Sequence, residues 1–404
     1  MSDAPMPRRR RFRLLPMLLM LLVATCLGPG ANPLSSGPMV QRVGATTAHI
    51  LVHTAASCEL TLAFSSAGRE EVELNERGAR RRHVFVLQGL EPATRVRYSV
   101  REWAEPQALV GRGAFRTAPQ PGQGSVRFAA FGDSGRNPWW NTVVDRVGLG
   151  VRDWVKTILP GRGAQWDVAR EVERVAPDLV LHLGDVVYPD GGFRRYPEAF
   201  LLPFARLLAD VPIYPTLGNH DLLTGFGAPY LYVFDLPGSD GPSRGRYYDF
   251  VHGPVQFVCL DSFSTSLESG TAQRKWLDDV LSRSTTPWRV VFTHRPFETV
   301  SRSRADAANQ WLRDHIHPLL VRHKVALVLS GHDHVYERFQ KRDGVTYVVA
   351  GGGGKSLYAL GTQPSLEVGE RRYSFVLAEA NAHELRLRTL AANGEELDAL
   401  VLRR

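Results

Sequence analysis

Five short blocks of the chain each close an apolar, strand-like run: Phe131-Gly-Asp-Ser-Gly135, Gly184-Asp-Val-Val-Tyr188, Gly218-Asn-His-Asp221, Phe292-Thr-His294 and Gly331-His-Asp-His334. The runs before them, at 126–131, 179–183, 213–217, 290–292 and 325–329, are predominantly apolar, as is a further run at 255–260. Helical periodicity lies between them at 166–175, 196–208, 271–283 and 305–323, the last with Ala308, Trp311, His315 and Leu319 on its inward face. Apolar strands alternating with helices predict an α/β fold with sheets buried on both faces. Every block then falls in the loop after a strand, and ligands of such folds gather outside the carboxyl ends of the strands.

The chemistry follows from the residue types. The blocks supply four Asp, one Tyr, one Asn and four His, a mixed oxygen and nitrogen set suited to two metal ions that activate water. Asp133 and Asp185 are hard oxygen donors, and one carboxylate placed between two cations can bridge them. His294, His332 and His334 supply imidazole, which suits Zn and Fe better than Ca or Mg. Tyr188 is diagnostic, because a phenolate is a strong ligand for Fe(III) and an unusual one for Zn or Mg. Asn219 adds a neutral carbonyl, which keeps the site from becoming too negative for an anionic substrate. A single Gly-Asp pair or lone His is usually a turn or a satisfied residue, and His182, His315 and His317 are read that way.

The rest of the chain bounds the setting. Its 404 residues fit two domains once an export segment is set aside, and 44% hydrophobic with 22% charged residues is globular composition. Residues 1–31 carry a basic start, the apolar run Leu14 to Leu27 and a Gly28-Pro29-Gly30 break, the pattern of a signal peptide. Arg9-Arg10-Arg11-Phe12 fits a twin-arginine signal as well as an Arg-rich ordinary one, and Cys26 offers the one route to a lipid anchor. The expected location is periplasmic, cell-surface or extracellular. Five Arg against one Asp in this segment account for +4 of the net +8, and the remaining +4 argues for no nucleic-acid partner. Cys58 and Cys259 are too few for a disulfide scaffold, and Cys259 reads as a buried apolar residue.

Short alternating runs at 47–52, 59–64, 83–87 and 96–100 predict an all-β sandwich over 37–118, followed by a Pro- and Gly-rich linker at 119–125 and a catalytic domain over 126–404. The stretch Leu87 to Tyr98 resembles the late-strand pattern of fibronectin type III modules. Gly351-Gly-Gly-Gly-Lys-Ser356 is a glycine-rich turn after strand 346–350 rather than a phosphate loop, since Val349 stands where the first Gly belongs.

The five blocks in this order resemble the metallophosphoesterase (calcineurin-like phosphoesterase) superfamily. Gly184-Asp-Val-Val-Tyr188 and Gly331-His-Asp-His-Val-Tyr-Glu-Arg338 are similar to its purple acid phosphatase branch. The resemblance implies two central mixed β-sheets flanked by helices, preceded by a fibronectin type III-like sandwich. It implies Asp133, Tyr188 and His334 on Fe(III), and Asn219, His294 and His332 on a divalent Fe, Zn or Mn, with Asp185 bridging. His220 matches a proton donor to the leaving group, with Asp221 beside it to hold the imidazole protonated. The implied reaction is hydrolysis of a small phosphomonoester by attack of metal-activated hydroxide. The same site would suit a phosphodiesterase or nucleotide hydrolase, and a non-catalytic binding protein is the reading from another class. The loop after His294 lacks the further His of plant members, leaving Arg295, Arg302 and Arg304 as its cations. The 52 residues from Asp133 to Asp185 hold an insertion with Trp139, Trp140 and Trp154, read as a helix packed on the core rather than a lid. The alcohol side of the substrate and the oligomeric state have no readable code.

Overall fold

The computed structural model describes residues 35–66, 68–105, 108–135, 163–301 and 307–404. The export segment with Cys26, most of the Trp-rich insertion, Arg302 and Arg304 lie outside the described residues.

The N-terminal part is all β. Strands β1 (Ser36–Gln41), β2 (Ala48–Ser66), β3 (Val72–Leu87), β4 (Arg95–Glu102) and β5 (Leu109–Arg116) form one sheet in the order β1-β2-β4-β5, with β3 also on β2. The runs expected as separate strands at 47–52 and 59–64 are the two halves of the 19-residue β2. Its first half pairs with β1 and its second with β4, and the register on β3 shifts at Cys58 between them. An irregularity of this kind bends a strand without ending it, which a period-2 pattern cannot distinguish from a turn. Both halves bury their apolar residues, Ile50 and Val52 then Leu60 and Leu62, in one core with Val96, Val100 and Phe115.

Two mixed sheets follow. Strands β6 (Val126–Phe131), β7 (Leu179–His182), β8 (Ile213–Pro215), β9 (Tyr248–His252), β10 (Val255–Leu260), β11 (Trp288–Thr293), β12 (Leu327–Ser330), β13 (Tyr336–Phe339), β14 (Thr346–Ala350), β15 (Leu366–Glu370), β16 (Ser374–Ala380), β17 (Glu384–Ala391) and β18 (Glu396–Arg403) complete the order. One sheet runs β18-β17-β16-β6-β7-β8 and the other β15-β13-β14-β12-β11-β10-β9. β6, β7 and β8 are mutually parallel, as are β10, β11, β12 and β14.

Alternation sets how the layers meet. Phe257, Cys259, Val290, Phe292, Val348 and Ala350 face the core between the sheets, where Phe128 meets Phe257 edge-on at 5.0 Å. The intervening Val258, Leu260, Val291, Val328 and Val349 face a second core beneath the helices. Cys259 is the buried apolar residue expected.

Among the described residues the α-helices are α1 (Gln165–Val175), α2 (Ala205–Asp210), α3 (Ala228–Val233), α4 (Ala272–Ser282), α5 (Ala307–His315) and α6 (His317–Arg322). α1 buries Val168, Ala169, Val172 and Val175 and stops at Ala176, whose left-handed φ of 47° precedes Pro177. Two expected helices are broken by proline. The run 196–208 is a π-helical turn, Pro197–Leu201, then α2 beyond Pro203. The run 305–323 divides where Pro318 opens α6. Its buried face is Asn309, Leu312 and Ile316, rotated from the expected one; Leu319 is buried, whereas His315 faces solvent.

The β-domain is fastened to the rest by polar contacts. Tyr98 Oη donates to Ala209 O at 2.7 Å, Ala114 N to Asp210 Oδ1 at 2.8 Å and Val43 N to Tyr214 Oη at 3.0 Å. His53 meets Val233 O at 3.1 Å, and His252 lies on β9, both buried. Burial lowers each to about 4, against 6.5 for a free imidazole. Because the folded pKa values are depressed, the unfolded chain binds these protons first. Stability present above pH 6.5 is therefore lost as pH falls towards 4, by up to about 1.4 kcal/mol per pH unit for each His. Urea denaturation at stepped pH should show that His252→Gln loses less stability than the unaltered chain as pH falls from 6.5 to 4; an identical pH dependence in both would contradict the assignment.

Candidate metal centre

Six strand ends build the site. Asp133, the Asp185–Tyr188 loop and Asn219 follow β6, β7 and β8 of one sheet, while His294 and His332–His334 follow β11 and β12 of the other. The glycine-rich loop 351–356 follows β14. One sheet thus delivers the candidate oxygen ligands and His220, the other the three candidate imidazole ligands, and they meet because the two sheets face each other.

The centre is buried and short-range. Tyr188 Oη stands 2.8 Å from Asp133 Oδ1, 2.8 Å from Asp185 Oδ2 and 3.1 Å from His334 Nε2. Asp185 Oδ2 is also 3.4 Å from His294 Nε2, whose neighbour at 3.3 Å is His332 Nδ1. Ligand atoms of Asp133, Asp185 and His294 lie within 4.8 Å of one another, close enough to hold an ion.

Local backbone explains the convergence. Asp133, Asp185 and His332 have φ of 60°, 51° and 71°, a left-handed region that costs a non-glycine residue of order 1 kcal/mol or more and persists only under constraint. Asp133 N donates to Gly184 O at 3.0 Å, His332 N to Asp133 Oδ2 at 2.8 Å, and His220 N to Asp185 Oδ1 at 2.8 Å. Gly218 passes so close to Asp185 that a Cβ there would stand 2.1 Å from Oδ1.

The donor set fits metal ions. His294 Nδ1 donates to Leu183 O at 2.6 Å and His334 Nδ1 to Ser356 O at 2.8 Å, which turns each Nε2 lone pair inward. Asn219 Oδ1 is buried with no hydrogen-bond partner, an expensive arrangement unless a cation accepts its lone pair. Burial alone would keep His294 neutral, but Asp185 and Asp133 raise it to about 9, so the carboxylates favour positive charge at this point. Burial, then Asp133 and Asp185, push the Tyr188 phenol well above its ordinary value. Ionising it requires a metal cation beside the oxygen. Burial would also raise Asp185, yet His294 and His220 hold it well below the usual carboxylate range.

The surroundings correct one expectation. Asp221 does not pair with the His220 ring: its carboxylate accepts Gly218 N at 2.9 Å and Val186 N at 3.0 Å, tying the second block to the third. Burial and the charge of Asp185 raise it to about 8. His220 Nδ1 instead meets Pro189 O at 2.5 Å, and its Nε2 faces Asp185 Oδ2 at 4.0 Å. His182 is buried and bonded to Ser134 Oγ at 2.7 Å, and His317 lies between Tyr347 and Asp343, as structural residues. Arg295 carries its guanidinium 4.3 Å over the Phe263 ring, which in turn lies 5.5 Å from His294 and from His332. Sequence reading missed Phe263, Tyr358 and the supporting role of loop 351–356. Gly353 N bonds Gly132 O at 2.9 Å, Lys355 N bonds Asp133 O at 2.8 Å, and Tyr358 stacks on His334 at 4.0 Å. The one available signal was a glycine run placed directly after a strand parallel to the metal-bearing ones.

Comparison with known proteins places this centre. Residues 126–336, more than half of the chain, match the family model described as calcineurin-like phosphoesterase. The chain belongs to this family. Residues 31–106 match a domain of unknown function (DUF7800), so the fibronectin type III resemblance gains no support beyond the all-β architecture. The chain of this calcineurin-like phosphoesterase is 29% identical over 295 residues, 63% of its length and 42% of the relative's, to "Probable inactive purple acid phosphatase 9" of Arabidopsis thaliana. It is 27% identical to a "Nucleotide pyrophosphatase/phosphodiesterase" of Hordeum vulgare, over 63% of this chain and 74% of that one. It spans about half the length of the Arabidopsis relatives it matches. The fold matches a purple acid phosphatase from yellow lupin (Lupinus luteus) seeds with a TM-score of 0.73 at 17% identity, covering 91% of this chain and 74% of that chain.

The close approach of Gly218 to Asp185 is testable. Gly218→Ala should weaken metal binding at least ~10-fold, as loss of a supporting contact does, whereas Gly37→Ala, with open space around it, should not. Competition with a chelator measures both; equal affinities would show that Asp185 tolerates displacement.

Proposed function

We propose that this chain is an exported phosphatase that hydrolyses phosphomonoesters at a binuclear metal centre. In this reading Asp133, Tyr188 and His334 hold Fe(III), Asn219, His294 and His332 hold a divalent Fe, Zn or Mn, and Asp185 bridges. The observation that carries it is the position of one oxygen: Asp185 Oδ2 faces Tyr188 Oη at 2.8 Å and His294 Nε2 at 3.4 Å, between the two sets of donors. Because two relatives are named as probably inactive, likeness alone does not decide activity. The six donors in mutual contact, with the buried and unpartnered Asn219 Oδ1, support it.

Two bound cations would supply Lewis acidity, lowering the pKa of water and offsetting phosphoryl charge. The chain's own residues do the rest. Asp133 and Asp185 set the negative field that retains the cations, while Leu183 O and Ser356 O fix the tautomers of His294 and His334. His220 is the proton donor to the leaving alkoxide. With Nδ1 donating to Pro189 O, its ring gives a proton from Nε2 only when doubly protonated, and the carboxylate it faces is Asp185. Asp221 positions backbone rather than proton. Residues 37–118 serve as a β-domain fastened beside the catalytic unit.

The barley relative's name keeps a second reading open, a phosphodiesterase or nucleotide hydrolase using the same centre. Purified, metal-loaded protein should cleave p-nitrophenyl phosphate faster than bis(p-nitrophenyl) phosphate; the reverse order would favour the second reading, and no turnover of either would favour a binding protein. Iron should be present, with a broad visible band that Tyr188→Phe abolishes. A colourless, iron-free, active enzyme would defeat the Fe(III) assignment alone.

A further inference from the structure

The glycine-rich loop after β14 brings a cation to the centre. Lys355 is half-buried, and its Nζ lies 4.3 Å from the centroid of the Tyr188 ring. Its backbone is held against the metal-binding loop, since Lys355 N donates to Asp133 O at 2.8 Å and Gly353 N to Gly132 O at 2.9 Å. A Cβ on Gly353 would stand 2.2 Å from Gly132 O, so the loop reaches this position only as glycine. On its other side Ser356 O accepts from His334 Nδ1 at 2.8 Å, and Tyr358 stacks on the His334 ring. Lys355 is therefore fixed by its own amide on Asp133 and by its neighbour Ser356 on His334, two residues of the Tyr188 half of the centre. The cation on the opposite side, Arg295, lies over Phe263 beside His294 and His332.

We propose that Lys355 is a catalytic residue that binds the third terminal oxygen of a phosphomonoester dianion and thereby sets preference for monoesters over diesters. The proposal rests on the phosphatase reading above and adds its selectivity. A monoester has three terminal phosphoryl oxygens and nearly two negative charges at neutral pH, so two oxygens can be used by the metal ions and one remains for a protein donor. A diester carries its second substituent at that position and one charge less. The lysine ammonium is a compact charge with three rotatable donors on a flexible stem, able to turn from the Tyr188 ring to an adjacent oxyanion while its backbone stays fixed. Negative charge on the peripheral oxygens must be offset throughout phosphoryl transfer, so the contact acts in the transition state as well as on binding.

Lys355→Met in the full metal-loaded chain tests this. For p-nitrophenyl phosphate kcat/KM should fall about 30- to 100-fold, the scale of losing one charged donor, while that for bis(p-nitrophenyl) phosphate should change by less than about 3-fold. Lys355→Arg should recover most of the loss, with metal content unchanged in both variants. Calorimetric titration with inorganic phosphate should show affinity weakened about 10-fold in Lys355→Met. Equal losses on both substrates would reduce Lys355 to a loop-positioning residue, and unchanged phosphate affinity would overturn the contact itself. If the unaltered protein cleaves only the diester, the phosphatase reading fails, while the phosphate titration still decides whether Lys355 binds the anion.

Discussion

The structure turns on a carboxylate shared between two sheets. Asp185 leaves the end of β7 with φ of 51°, takes the His220 amide on one oxygen and presents the other to Tyr188 and His294 together. That arrangement is stable only if both sheets hold their loops in place, and their packing supplies the constraint. Phe128 against Phe257 and the aliphatic rows of β6, β10, β11 and β14 fix the separation of the layers. The strand ends then aim oxygen donors from one side and imidazoles from the other.

Electrostatics explains why so many second contacts are spent on backbone. A buried site with Asp133, Asp185 and Asp221 would expel its own charge unless each carboxylate were paired, hydrogen-bonded or near a cation. Asp221 is pushed up to about 8 and bonded to two amides, so it serves as a tie between loops. Asp185 is held low by His294 and His220 and remains the anion that a cation meets. Neighbouring carboxylates thereby take different roles because their partners differ.

Much of this was legible in the sequence, for physical reasons. Largely apolar strands such as Val255–Leu260 are buried on both faces, and the donor blocks fall at strand ends, so the α/β architecture and the approach of Asp133, Asp185, Tyr188, His294, His332 and His334 to one another followed from pattern. What was not legible depended on contacts across the fold. Asp221 follows His220 in the chain, but the turn sends its carboxylate to Val186, 35 residues away. Ala48–Ser66 read as two strands because the irregularity at Cys58 interrupts the alternation. Pro203 and Pro318 were visible breakers inside helical periodicity, and they prevailed over it. The loop 351–356 matched no phosphate motif, and its role appears only where β14 sets it beside Asp133.

The most direct test is anomalous X-ray diffraction from crystals of the metal-loaded protein. Two peaks should flank Asp185 Oδ2 at the spacing of about 3.5–4 Å typical of two-metal sites, with iron-edge signal on the side of Tyr188. A single peak, or peaks away from Asp185, would contradict a carboxylate shared between two ions.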